Sequence, residues 1–162
     1  MIVLTCPMTL LTVLPTGVFS AELFEDVHAV KWPQAVHGYR GRMGDIIQLK
    51  DSSLLMSYTE NGIMGIKSTD QGRTWGASFT LVPDPKPPAK GYYCHPSFLR
   101  LKDDHILMSY IYSTHPTTPY HGHNYYRRSE DEGETWTEQF VMTPHPGYIL
   151  VHNDRLFVLS TG

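Results

Sequence analysis

The chain has 162 residues, enough for one ordinary domain, of which 41% are hydrophobic and 18% charged. A net charge of -3 at pH 7, with no run of like charges, argues against a nucleic-acid surface. Ten Tyr, three Trp and six Phe favour strands, and thirteen Gly with twelve Pro supply turns, so an all-β fold is expected.

Met1 to Phe19 is apolar, broken by Pro7, Pro15 and Gly17, and no acidic or basic side chain precedes Glu22. Val18 and Ser20 are small enough for the −3 and −1 sites of a leader cleaved after Ser20, although the usual basic n-region is missing. A signal peptide over 1–20, and hence a secreted or periplasmic protein, is favoured over a buried N-terminal segment. The prolines argue against a permanent membrane span in the mature chain. Cys6 would leave with the leader, so Cys94 stands alone and no disulfide framework is expected.

Residues 21–41 read as an irregular entry segment. Strands are then predicted over Asp45–Leu49, Leu54–Thr59, Ile63–Lys67 and Ser78–Val82, with Glu60-Asn61-Gly62 as a tight hairpin loop. The Pro-rich run Pro83–Pro88 is a connector.

The pattern then recurs. Leu49-Lys50-Asp51-Ser52-Ser53-Leu54-Leu55-Met56-Ser57-Tyr58 matches Leu101-Lys102-Asp103-Asp104-His105-Ile106-Leu107-Met108-Ser109-Tyr110, an offset of 52 (103 − 51). Ser68-Thr69-Asp70-Gln71-Gly72-Arg73-Thr74-Trp75 matches Ser129-Glu130-Asp131-Glu132-Gly133-Glu134-Thr135-Trp136, an offset of 61 (131 − 70). The nine extra residues (61 − 52) belong in an inserted loop within Ser113–His123. A third copy is expected to begin at Tyr148–Val151 and continue over Leu156–Ser160. A four-stranded unit repeating every 52 to 61 residues is the signature of a propeller blade. The expected boundaries are blade one about 42–83, blade two about 95–143 and the start of blade three about 147–162. Two and a half blades leave an apolar flank bare, so a fragment of a longer protein is expected. A small sandwich or a self-assembling half-propeller is the alternative.

The duplicated S-x-D-x-G-x-T-W stretch has turn chemistry. Asp accepts from amides further along the loop, Gly takes a positive φ, Ser and Thr hydroxyls bond the same loop, and Trp folds back as a lid. Asp70 and Asp131 could instead be catalytic acids, but a catalytic group rarely recurs with its whole turn around it. A structural clip is the preferred reading.

Strand direction alternates in such a unit, so the Asp turns share one end and the candidate chemistry gathers at the other. That other end collects Arg40, Arg42, Glu60, Tyr92, Tyr93, Cys94 and His95. The inserted loop adds His115, Tyr120, His121 and His123, and the next connector adds His145. Arginine can pair with a carboxylate bidentately, and aromatic rings can stack on sugars. Each residue has a bland reading beside this one. Arg42 could be a surface arginine beside Asp45, His95 a bonded blade residue, and Glu60 a simple turn residue. His121 and His123 lack a partner carboxylate, so solvated loop histidines are preferred to a metal site. Arg127 and Arg128 read as salt-bridging strand residues, and the methionines as filler. No metal or cofactor is expected.

The two S-x-D-x-G-x-T-W turns resemble the Asp boxes of sialidases (neuraminidases) and related six-bladed propellers. Tyr39-Arg40-Gly41-Arg42-Met43-Gly44-Asp45 through Leu55 is similar to the sialidase opening, where Arg-Ile-Pro precedes a strand and an L-x-D-G-x-L-L turn. The resemblance covers Gly38 to the C-terminus, with Met43-Gly44 replacing Ile-Pro. It implies a carboxylate clamp of three arginines, of which Arg42 would be the first. It also implies an acid/base Asp and a Tyr nucleophile activated by a Glu, the exception to the two-carboxylate scheme. The family's acid/base Asp lies in the loop that is here Glu60-Asn61-Gly62, leaving Glu60 as a weak candidate. The Tyr, its Glu and the remaining arginines would come from later blades. The implied activity is exo-acting removal of a terminal sialic-acid-like sugar by the full-length protein. The alternatives are a non-catalytic carbohydrate-binding or interaction propeller, and a glycosidase of other sugar specificity.

Overall fold

The computed structural model describes residues 44–86, 90–114, 122–147, 151 and 156–160. These form two four-stranded antiparallel sheets and no helix. The first sheet runs β1 (Ile46–Gln48), β2 (Leu54–Thr59), β3 (Gly62–Ser68), β4 (Phe79–Pro83), in that spatial order. The second runs β5 (Tyr92–Arg100), β6 (Ile106–Ser113), β7 (His123–Ser129), β8 (Phe140–Val141). The expected first strand, Asp45–Leu49, is trimmed at both ends. Asp45 instead turns its carboxylate back onto the Ile46 amide at 2.8 Å, and the Leu49 amide donates to Ser53 O at 2.8 Å, which closes the β1–β2 turn.

Alternation explains the middle of the first sheet. Leu55 and Ile63 fall on one face and are fully buried against the second sheet. Met56, Tyr58 and Ile66 fall on the other and form a second apolar cluster with Met64 and Trp75. The first sheet therefore buries apolar side chains on both of its faces. The main core joins Leu49, Leu55, Ile63, Leu81 and Val82 to Tyr93, Phe98, Ile106, Met108 and Tyr110. Each fully buried aliphatic side chain there contributes about 1.5–3 kcal/mol. β5 is the strand that meets the first sheet, packing on β1, β2 and β3.

The β2–β3 hairpin turns where expected. Asn61 (φ 53°) and Gly62 (φ 114°) are both left-handed, and Glu60 N–H donates to Gly62 O at 2.9 Å. Only glycine fits at 62, because a Cβ would stand 2.3 Å from Val82 O. The corresponding β6–β7 connection spans residues 114–122, which places the inserted loop where the repeat arithmetic puts it.

Two expectations need correction. Tyr92 to His95 do not precede the second unit; they lie inside the nine-residue β5, and a register shift between Cys94 and Ser97 makes a bulge at His95-Pro96. The local sequence carried a proline there, which cannot donate to a ladder and so breaks it. In the expected third copy, Val151 and residues 156–160 are not in strands, and Phe157 and Leu159 are exposed. Tyr148 to Leu150 lie outside the described residues, as do the leader over 1–20, the entry segment over 21–41, Arg40, Arg42 and His121. Among the described residues no helix is long and apolar enough to cross a membrane.

Candidate functional site

Both Asp turns form the same hydrogen-bonded loop. In the first, Ser68 Oγ donates to Asp70 Oδ1 and accepts from Gly72 N, each at 2.8 Å. Asp70 Oδ1 also accepts from Thr74 N at 2.8 Å, and Oδ2 accepts from Thr74 Oγ1 at 2.6 Å. The second repeats this with Ser129, Asp131, Gly133 and Thr135, at 2.8 Å for each of the three matching bonds. Thr135 Oγ1 closes it by donating to Asp131 Oδ2. Two successive left-handed residues make each turn, Gln71 with Gly72 and Glu132 with Gly133, so the glycine does not act alone. Trp75 Nε1 donates back to Gly72 O at 3.1 Å, while Trp136 stacks on Phe98 with ring centroids 6.2 Å apart.

This geometry decides the chemistry of the aspartates. Thr74, then Ser68, hold the Asp70 carboxyl down to about 2, and Thr135 followed by Ser129 lower that of Asp131. A carboxylate ionised throughout the neutral range, with both oxygens already accepting, has no proton to give.

The second Asp turn also reaches across to the first sheet. Glu132, at a variable position of the motif, takes a bidentate pair from Arg100 at 2.6 and 2.8 Å. The pair then grips the β1–β2 turn: Arg100 Nη2 donates to Gln48 O at 3.0 Å, and Glu132 Oε2 accepts from Lys50 N at 3.0 Å. Lys67 on β3 forms a further ion pair with Glu134. Of the two arginines expected to form salt bridges, Arg128 does so with Asp103 Oδ2 at 2.6 Å, whereas Arg127 instead donates Nε to Tyr110 OH at 2.9 Å and Nη1 to Thr137 O at 2.6 Å.

The opposite end holds the other candidates. Glu60 is half-buried in the β2–β3 turn. Tyr93 is buried in the core: its ring meets Tyr110 edge-on at 5.1 Å, and its hydroxyl donates to Gln139 Oε1 at 3.1 Å. Tyr110 donates to the same oxygen at 3.2 Å, and burial pushes its own hydroxyl up to about 12. Tyr93, Tyr112 and His123 are successive partners across β5, β6 and β7, so the ladder puts the tyrosine and the histidine in one row. Tyr125 joins that row to its neighbours, 6.3 Å from both Tyr112 and His123. His95 is buried at φ 55° in the bulge. Cys94 is buried beside it, and desolvation raises its thiol to about 12, far from a nucleophilic thiolate.

Asp45, expected only as a neighbour for Arg42, reaches from the first sheet into the second. Its Oδ2 accepts from Ser97 Oγ at 2.8 Å and from Phe98 N at 2.9 Å, the two residues that follow the bulge. The repeat itself carried a signal, since Asp45 and Ser97 are equivalent positions (97 − 52 = 45). Asp84, in the connector, similarly accepts from Tyr93 N at 2.9 Å. Among the described residues no group of three or more His, Cys, Asp or Glu could hold a metal ion.

No protein-family model matches the chain, and no curated protein does. Among solved structures, the Hadza microbial sialidase Hz136 is similar over 62% of this chain and 25% of its own, at 18% identity and a TM-score of 0.49. A protein of unknown function from Dyadobacter fermentans DSM 18053 is similar over 61% of this chain and 35% of its own, at 20% identity and a TM-score of 0.49. The chain thus spans about a quarter and about a third of the lengths of these two proteins.

Proposed function

We propose that the chain is part of an exported, sialidase-like six-bladed propeller that recognises a terminal acidic sugar and, in a full-length protein, removes it from a glycoconjugate. The observation that carries this reading is the pair of identical Asp turns. They commit their carboxylates to loop closure at one end of both sheets, and this leaves the opposite end for chemistry. Arg42 would clamp the sugar carboxylate, a role suited to a planar, permanently charged fork. Arg40, His95, His121 and His123 would shape the pocket, and Tyr93 would support it from the core. Glu60 is the candidate acid/base. The nucleophilic Tyr, its Glu and two further arginines would come from other blades.

The test is a fluorogenic sialoside assay on the full-length protein. Arg42→Ala is expected to lower kcat/KM by about 10²-fold or more, the scale of a lost charged contact to the reacting sugar. Equal cleavage by variant and wild type would remove Arg42 from the clamp.

A second reading, a carbohydrate-binding propeller without hydrolysis, is favoured by one feature. The β2–β3 connection is only Glu60-Asn61 and carries no aspartate. Sialoside binding with no turnover by the full-length protein would select it.

A further inference from the structure

We propose that the second sheet carries a docking socket, on the face turned away from the first sheet, built from Lys102, Leu107 and Arg128. It fits a loop of the form acid-Gly-acid, supplied by a further unit of the same repeat. This rests on the propeller part of the reading above and makes no use of the sugar. The contact between the two sheets shows what such a loop does. Glu132, Gly133 and Glu134, at the tip of the second Asp turn, seat on three points of the first sheet. Glu132 Oε2 accepts from Lys50 N at 3.0 Å. Gly133 lies so close to Leu55 that a Cβ would stand 2.9 Å from Leu55 Cδ2. Glu134 forms its ion pair with Lys67. Leu55 and Lys67 are ladder partners and share one face.

The second sheet repeats this patch. Lys102, Leu107 and Arg128 are the equivalents of Lys50, Leu55 and Lys67 (102 − 50 = 52, 107 − 55 = 52, 128 − 67 = 61). Leu107 and Arg128 are again ladder partners. The two turns are bonded alike: Leu49 N donates to Ser53 O at 2.8 Å and Leu101 N to His105 O at 2.9 Å, with Ser52 and Asp104 left-handed at φ 70° and 67°. The Lys102 amide is thus held as the Lys50 amide is, yet among the described residues it has no acceptor. Leu107 is half-buried where Leu55 is fully buried. Arg128 directs Nη2 to Asp103 and His105 and stays 38% exposed, with no acceptor for Nη1 among the described residues. Val151 O already lies on this face, where it accepts from Ser109 Oγ at 3.0 Å.

Charge selects the occupant. A second copy of this chain would offer Gln71-Gly72-Arg73 from its first Asp turn, and Arg73 would meet Arg128. The second copy's own acid-Gly-acid loop is already seated on its first sheet. The socket therefore fits a further unit with a carboxylate on each side of the turn glycine, one for the Lys102 amide and one for Arg128.

The full-length protein tests this without any substrate. Its next S-x-D-x-G-x-T-W turn should carry Asp or Glu at the positions of Glu132 and Glu134; neutral or basic residues at both overturn the proposal. Arg128→Glu should lower Tm by about 2–4 °C, and changing the facing acid to Lys in the same protein should restore at least half of that loss. Lys67→Glu with Glu134→Lys is the control, at the contact already formed. Additive effects at Arg128, with coupling at Lys67 and Glu134, overturn the proposal. Should Arg128→Glu not fold, Arg128→Gln carries the same cycle against a Gln at the facing acid, and the double variant should then lose no more than either single. Self-association of the 162-residue chain that Arg128→Glu abolishes would make a second copy the occupant and would also overturn it. If the full-length protein has no further Asp turn, the propeller reading fails and this inference with it. If the turn is present but uncoupled from Arg128, this inference alone has failed.

Discussion

Ser68 and Ser129 show how much one hydroxyl does here. Each donates to its aspartate and accepts from its glycine amide while buried, so truncation takes the partner from a buried amide and one of three donors from the carboxylate. Ser129→Ala should therefore cost about 1–2 kcal/mol by urea denaturation. The aspartates make a prediction about pH. Asp70 falls from an ordinary 3.8 to about 2 on folding, so between those values the unfolded chain binds more protons. The stability contributed by Asp70 is present above about pH 4 and is lost as pH falls towards 2, and Asp131 acts in the same direction. Asp70→Asn should be less stable at neutral pH and should lose less on acidification. Parallel melting curves for variant and wild type over that window would dismiss the clip as a source of acid sensitivity.

At the scale of elements, the two Asp turns are alike in bonding but unlike in surroundings. A Cβ on Gly72 (φ 90°) would meet nothing closer than 3.7 Å, whereas one on Gly133 (φ 87°) would stand 2.9 Å from Leu55 Cδ2. Both glycine-to-alanine variants incur the left-handed penalty of about 1–2 kcal/mol. Gly133→Ala must in addition displace the end of the Leu55 side chain, which is fully buried. It should be the less stable of the two in a thermal melt; the reverse order would mean that the second turn does not press on the first sheet. The turns, the hairpin at Glu60-Asn61-Gly62 and the position of the inserted loop were legible in the sequence because each is specified by neighbours in the chain. The bulge was not foreseen: Pro96 breaks the ladder there, but nothing near it in the chain points to Asp45, whose carboxylate bonds the two residues that follow.

For the whole molecule, the question is what keeps two sheets in register without a disulfide among the described residues. Apolar packing supplies most of the energy but little direction. Direction comes from a few bonds that cross between the sheets: Asp45 to Ser97 and Phe98 near one end, and the Arg100–Glu132 pair on Gln48 and Lys50 at the other. Arg100 and Glu132 are each about a quarter exposed, so the pair is only partly screened. Arg100→Ala should cost about 1.5–3 kcal/mol, more than a surface ion pair would, because a half-buried carboxylate loses two charged hydrogen bonds. A loss below about 0.5 kcal/mol in chemical denaturation would reduce the clamp to an ordinary surface bridge.

The sequence by itself determined the all-β class, the duplicated unit and the Asp turns, since periodicity two and turn chemistry act over a handful of residues. It also separated the two ends of the sheets, because antiparallel alternation follows from the order of the strands. Only the tertiary structure decided which residues face which across the gap. It made Glu132 a clamp rather than a spacer, drew the hydroxyl of Tyr93 into the core beside Tyr110 and Gln139, and turned Asp45 towards the bulge of β5. These are contacts between positions some 30 to 80 residues apart, and their partners are chosen by how two twisted sheets pack, not by any neighbouring side chain.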